Sequence, residues 1–214
     1  MNNAMHLNHE ASMTRRRFDR LALLAVLLGV GLAGCVSTSP LRHYTLQASA
    51  SDAAVATSFN FALQAVRVPP QVDVTPLVVR DGDTALRVLE GHQWGAPLAL
   101  EWRGALSTAL RQSHGGVDLA RAGLALPPDV PVLRVDLQRF DAEVGVGAHA
   151  GGVWSVMQTD PAVALSCAFA LSAPSGLMPV DIARAHQQLI GRLATQIATT
   201  LSNLRAGGDP ACSG

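Results

Sequence analysis

The sequence predicts an α+β fold: a mostly antiparallel sheet with two main helices packed on one face, as an α/β sandwich. Three observations carry this. Several short runs alternate apolar and polar residues, the period of a half-buried strand. Two longer stretches place large apolar residues every three or four positions, the period of an amphipathic helix. The runs come in the order strand, strand, hairpin, helix, strands, helix, with no regular β–α alternation and no internal repeat.

Each element has its own signal. His43 to Gln47 reads as a first strand, and the small residues of Ala48 to Ser58 read as a loop. Phe59, Phe61, Leu63 and Ala65 alternate with Asn60, Ala62 and Gln64, and Pro69-Pro70 ends that strand. Leu77–Arg80 and Ala85–Glu90 flank Asp81-Gly82-Asp83-Thr84, a hairpin signal because glycine accepts positive φ. Asp81 and Asp83 are read there as turn residues. Leu98, Trp102, Leu106 and Leu110 form one face of a helix that Pro97 opens and Gly115-Gly116 closes.

Leu133, Val135 and Leu137 alternate with Arg134, Asp136 and Gln138 in a strand that continues toward Glu143. Gly145 to Gly152 reads as a glycine-rich connection, followed by strands over 153–158 and 162–171. In the latter, Val163, Leu165, Cys167 and Phe169 share one face. Ala164, Ser166, Ala168 and Ala170 make the other, small enough for a helix to approach closely. A last helix runs from about Asp181 to Arg205, with Ile182, Leu189, Leu193, Ile197, Leu201 and Leu204 as its stripe and Gly207-Gly208 after it.

The N-terminus carries an export signal. Arg15, Arg16, Arg17 and Arg20 form a basic region, Leu21 to Ala33 is apolar, and Leu32-Ala33-Gly34-Cys35 follows the pattern of a bacterial lipoprotein signal. The apolar run of about 13 residues falls short of the roughly 20 that span a bilayer. The Cys35 thiol is expected to become a thioether to a diacylglycerol, with its freed amine acylated. One acyl chain binds a membrane only marginally, whereas two or three hold essentially permanently. Val36 stands where an Asp would signal inner-membrane retention, so the expected site is the periplasmic face of the outer membrane. Thr14 to Phe18 has the paired arginines of a twin-arginine signal, but Asp19 replaces its usual apolar residue, so the segment is read as an ordinary basic region. The expected organisation is a signal peptide over 1–34, a lipidated tether over 35–42, one domain over 43–206 and a flexible tail over 207–214.

The mature chain of about 180 residues suits one domain with a normal core. It contains no lysine, and its 12 arginines against 14 acidic residues leave a net charge of about −2. That excludes a polybasic nucleic-acid footprint, and the few aromatics argue against a stacking platform for bases or sugars. With Cys35 consumed by lipid, Cys167 and Cys212 remain. In an oxidising compartment they either pair, pinning the tail to the sheet, or stay as a buried thiol and a free one.

No constellation announces chemistry. None of His43, His92, His114, His149 and His186 pairs at i,i+4 with another His or with Cys, there is no Cys-x-x-Cys, and no metal or cofactor is expected. There is no Gly-x-Ser-x-Gly elbow. The Gly145–Gly152 stretch lacks the Lys-Ser/Thr of a P-loop and joins two strands, so it reads as a hairpin loop with His149 exposed at its centre. Trp102 reads as core. Trp94, just before the helix, is a candidate anchor for a protein partner.

Several segments together resemble the ABC-type transport auxiliary lipoproteins, the PqiC/YmbA-like group. They are His43-Tyr44-Thr45-Leu46, Val68-Pro69, Pro76 to Arg80, His92 to Leu98, Arg139-Phe140 and Val153-Trp154. The resemblance runs from Tyr44 to Leu204 and rests on order and spacing. Asp73-Val74-Thr75-Pro76 departs from the family's Asp-Arg-Pro-like segment. The resemblance implies a non-enzymatic accessory subunit of an MCE-type lipid transport system. Its partners would be an MCE-domain protein and the associated inner-membrane transporter subunit, met at the outer membrane, with homo-oligomerisation possible. The implied docking surface comprises Trp94, Gly147, His149 and Gly151 together with nearby sheet edges. Three alternatives stand beside it, one of them an anchored hydrolase, for which the sequence offers no nucleophile elbow. A regulator of a cell-wall synthase usually needs a longer linker than the one before Tyr44, and a lipid carrier needs a large apolar cavity.

Overall fold

The structure is a computed structural model that describes residues 40–47, 59–121, 123 and 125–213. The signal peptide, Cys35 and the Ala48–Ser58 loop lie outside the described residues. Leu41–Gly214 forms one compact unit. Its elements are β1 (Arg42–Tyr44), β2 (Ala62–Leu63), β3 (Pro76–Asp81), β4 (Ala85–Trp94), α1 (Leu98–His114), a 3₁₀ turn (Leu119–Arg121), β5 (Val132–Glu143), β6 (Gly147–Gln158), β7 (Val163–Pro174) and α2 (Pro179–Arg205).

The fold is α+β, with the strands divided between two sheets. The larger has the order β2-β5-β6-β7 and the smaller β1-β4-β3. β5, β6 and β7 form an antiparallel meander, β3–β4 is an antiparallel hairpin, and the short β1 and β2 join β4 and β5 in parallel. Phe61, Leu63, Leu133, Val135, Leu137, Phe140, Cys167 and Phe169 bury one face of the larger sheet with Leu98, Trp102, Leu106 and Leu110 of α1 and Ile182, Leu189, Leu193 and Ile197 of α2. Both helices therefore cover the same face.

Local chemistry sets the boundaries. α1 begins after Pro97 and ends at Gly115, whose φ of 71° is the left-handed conformation that closes a helix. Pro179 opens α2, and the Asp181 carboxylate accepts the Met178 N–H at 3.1 Å. Buried carboxylates tie the irregular strands down. Glu101 accepts from Thr45 Oγ1 and Leu46 N–H, both at 2.8 Å, which holds the end of β1 on α1. Asp118 accepts from Leu63 N–H at 3.1 Å and Ser107 Oγ at 2.8 Å and pairs with Arg103 at 3.1 Å, joining β2 to α1.

Three expectations change. The strand expected over Phe59–Ala65 is reduced to Ala62–Leu63, with isolated bridges at Phe61 and Arg67. The small-residue face of β7 carries no helix: Ala164, Ser166, Ala168 and Ala170 are exposed. The helices take the opposite face because its larger apolar side chains remove more area from water. The glycine-rich connection expected over Gly145–Gly152 is mostly strand, since only residues 144–146 turn.

Candidate functional site

The structure redistributes the residues expected to form a docking surface. Trp94 is only 3 % exposed, which corrects its assignment as a partner anchor. β4 runs four residues beyond Glu90 and pairs Trp94 with Tyr44. The indole then lies against Phe140 and His186, with ring centroids 6.4 Å from each. A large ring at the entry to a helix is placed to close the core between sheet and helices.

Gly147, His149 and Gly151 do not form a loop. They pair with Glu143, Asp141 and Arg139 of β5 and with Pro174, Ser172 and Ala170 of β7. Gly147 and Gly151 are buried and His149 is half-buried. The glycines are there for close approach. Where β5 is irregular between Leu137 and Arg139, its backbone comes so near β6 that a Cβ on Gly152 would strike the Asp136 carbonyl.

The structure does assemble a charge cluster that the sequence reading missed. Asp141, across the ladder from His149, is 9 % exposed. Arg139 grips it with Nε–Oδ2 at 2.8 Å and a second donor to Oδ1 at 3.2 Å, and Arg80 of β3 reaches Oδ2 at 3.4 Å. Burial pushes the Asp141 carboxyl up. The Arg139 hydrogen bond and the charges of Arg139, Arg80 and His149 outweigh that, so its pKa lies below the ordinary carboxylate value. The cluster bolts the smaller sheet to the larger one. Arg80 and Asp141 stand 61 positions apart, so no local pattern could have paired them.

His186 lies on the covered side of the same sheet, stacked on Phe140 at 4.0 Å. Burial lowers its pKa to about 3 against the opposing attraction of Asp141, so it is neutral at pH 7. Its Nδ1 has no hydrogen-bond partner among the described residues. These groups offer charge pairing and packing, with no nucleophile beside a base. Among the described residues, no three His, Cys, Asp or Glu side chains converge to hold a metal ion.

Cys167 and Cys212 are joined by a disulfide. The end of the segment expected to be flexible lies between β7 and α2: Cys212 Sγ sits 3.6 Å from the Ser166 carbonyl of β7, and Ser213 N–H donates to Thr200 Oγ1 of α2 at 3.2 Å. Arg192 donates to the Ser172 carbonyl at 2.8 Å. Side chains thus guard two points on the outer edge of β7, where an unpaired strand invites association. Among the described residues no helix is long and apolar enough to cross a membrane.

Comparison with known proteins bears on the whole of this arrangement. A search of curated proteins found no match. A crystal structure of protein XCC0632 from Xanthomonas campestris, of the family DUF330, superposes with a TM-score of 0.58 at 16 % identity, covering 78 % of this chain and 98 % of that one. A crystal structure of an uncharacterised protein superposes with a TM-score of 0.62 at 17 % identity, covering 76 % of this chain and 99 % of the other. Both likenesses establish the fold. The family described as the ABC-type transport auxiliary lipoprotein component matches residues 44–198, the stretch that holds every strand but the first two residues of β1, and most of α2. The chain belongs to the ABC-type transport auxiliary lipoprotein family.

Proposed function

We propose that the protein is a lipid-anchored periplasmic accessory subunit of an MCE-type ABC transport system that moves lipid between membranes and supports outer-membrane integrity. The observation that carries this is the family match over residues 44–198. The Leu32-Ala33-Gly34-Cys35 box and Val36 favour acylation of Cys35 and retention at the outer membrane. The domain works by docking. It presents a rigid sheet and helix surface to an MCE-domain protein arriving from an inner-membrane transporter subunit, as a monomer or as a homo-oligomer, and it catalyses no reaction. Trp94, Gly147 and Gly151 are buried, so the docking surface we propose is the exposed face of β7 at Ala164, Ser166, Ala168 and Ala170.

The test is co-purification of the full-length lipoprotein from membranes, with mass spectrometry of what accompanies it. Recovery of an MCE-domain protein is the expected result. Recovery of a cell-wall synthase without any MCE-domain protein overturns the proposal.

A further inference from the structure

Three segments far apart in sequence meet at one end of the domain. The chain enters β1 at Arg42, and Arg42–Tyr44 line a cavity together with Met178, Pro179 and Val180 at the start of α2. The β5–β6 turn closes on the neighbouring residues. Gly145 N–H donates to the Gly176 carbonyl at 3.0 Å, and a Cβ on Gly145 would lie 2.8 Å from Leu177 Cδ2. The side chains these segments turn outward are long and apolar: Leu177 is 77 % exposed, Val146 61 %, Met178 56 % and Leu41 52 %. Single exposed apolar residues are ordinary, but several gathered at one tip mark an interaction site.

The covalent chain limits what that tip can face. Six peptide links separate Cys35 from Leu41, a reach of at most about 20 Å even when fully extended. An acylated Cys35 lies in the bilayer surface, so Leu41 and its neighbours cannot stand further from the lipid than this. We propose that Leu41, Val146, Leu177 and Met178 form a membrane-contact patch that seats in the headgroup region of the bilayer holding Cys35. The inference rests on the acylation proposed above. Arg42, exposed beside Leu41, adds a cation that suits lipid phosphates. Asp181, the nearest acid on α2, is already engaged by Met178 N–H and by Arg184 at 3.3 Å.

Seating the patch orients the domain. α2 starts at Pro179 beside the patch and runs 27 residues, about 40 Å, away from it. β5 and β6 likewise lead from their shared turn to the far end, at Val132 and Gln158. The end turned away from the lipid, toward an arriving partner, carries a half-open cavity of about 480 Å³ lined by Phe59, Val130, Val163, Leu201 and Leu204. An attachment at Cys35 alone leaves the domain free to tumble on its tether, whereas a second contact holds this end outward.

Full-length lipoprotein in vesicles of phosphatidylethanolamine and phosphatidylglycerol, with and without brominated acyl chains, tests the patch. The three native tryptophans, Trp94, Trp102 and Trp154, are all buried and supply the background. Leu177→Trp puts a reporter in the patch and Leu126→Trp puts one at the far end. Interfacial side chains sit about 5–10 Å into the headgroup and acyl boundary, so added quenching at 177 is expected to exceed that at 126 by at least about threefold. Equal quenching at both positions, or none at 177 in protein whose Cys35 peptide carries acyl chains by mass spectrometry, overturns the patch and leaves the anchor standing. A Cys35 peptide without acyl chains removes the anchor and the patch with it. The measurement uses no partner, so it succeeds or fails independently of the co-purification.

Discussion

At the scale of single residues, the buried His186 imidazole is a group whose protonation opposes folding. His186 is fully enclosed by Phe140, Trp94 and α2, and burial holds its folded pKa at about 3, below the ordinary imidazole value of 6.5. The unfolded chain therefore takes up a proton that the folded chain refuses. Stability is complete above about pH 6.5 and falls as the pH drops toward 3, by up to about 1.4 kcal/mol per pH unit. His186→Leu should flatten that acid slope in chemical denaturation between pH 7 and 4, and an unchanged slope would count against a buried neutral imidazole. Asp141 adds to the same trend, because a carboxyl held below its ordinary pKa loses its stabilising charge as acid protonates it. Two glycines give a sharper contrast. Gly152 stands where any Cβ meets the Asp136 carbonyl, whereas Gly191, inside α2, has open space where its Cβ would be. Gly152→Ala is expected to destabilise by about 2–3 kcal/mol through overpacking, and Gly191→Ala to stabilise by about 1 kcal/mol through helix propensity. Thermal unfolding of the two variants should move in opposite directions.

At the scale of elements, periodicity revealed what the larger pieces are, and long-range contacts decided how the short ones end. α1 and α2 were legible because each has one apolar stripe and a stop signal. β5 and β7 were legible because they alternate. β6 was misread: its glycines at 147, 151 and 152 look like loop residues, and the reason for them is close backbone approach, by β7 at Gly147 and Gly151 and by β5 at Gly152, which shows only once the sheet is formed. The Phe59–Ala65 run alternates well but is a strand for only two residues, because its partners are an aspartate beyond α1 and the start of β5. The C-terminal segment was legible only as two possible states of its cysteine. With Cys167 and Cys212 joined, a loop of sequence separation 45 is closed, which by chain entropy is worth about 4 kcal/mol at most. Cys212→Ser should lower the unfolding free energy by about 2–4 kcal/mol, and reductant should have the same effect on the wild type but none on the variant. A variant as stable as the oxidised wild type would mean that the bond closes nothing that folding needs.

At the scale of the whole molecule, folding and placement are separable, because different parts of the chain encode them. The core is drawn from residues between Leu46 and Leu201 and closes on itself within Leu41–Gly214. In the function we propose, placement rests on Leu32 to Cys35 and on the few residues that follow. The docking surface was the least legible part of the sequence. Its signal, an exposed row of small residues on β7, exists only once the sheet is formed, and the apolar tip proposed to meet lipid exists only once three distant segments are brought together. Trp94, the residue that looked most like an anchor, is consumed by the core. If placement is a separate function, removing the thiol should abolish it without touching the fold. Cys35→Ser is expected to leave the thermal midpoint of the domain unchanged within about 1 °C, since surface changes away from packed features are usually within ±0.5 kcal/mol. The same change should remove the acyl chains that hold the protein on membranes, and with them its co-purification with any membrane partner. Scanning calorimetry of the purified protein reads the first effect, and fractionation of cells carrying the variant, followed by immunoblotting, reads the second. A variant that stays in the outer-membrane fraction would show that protein contacts, and not lipid on Cys35, place the domain.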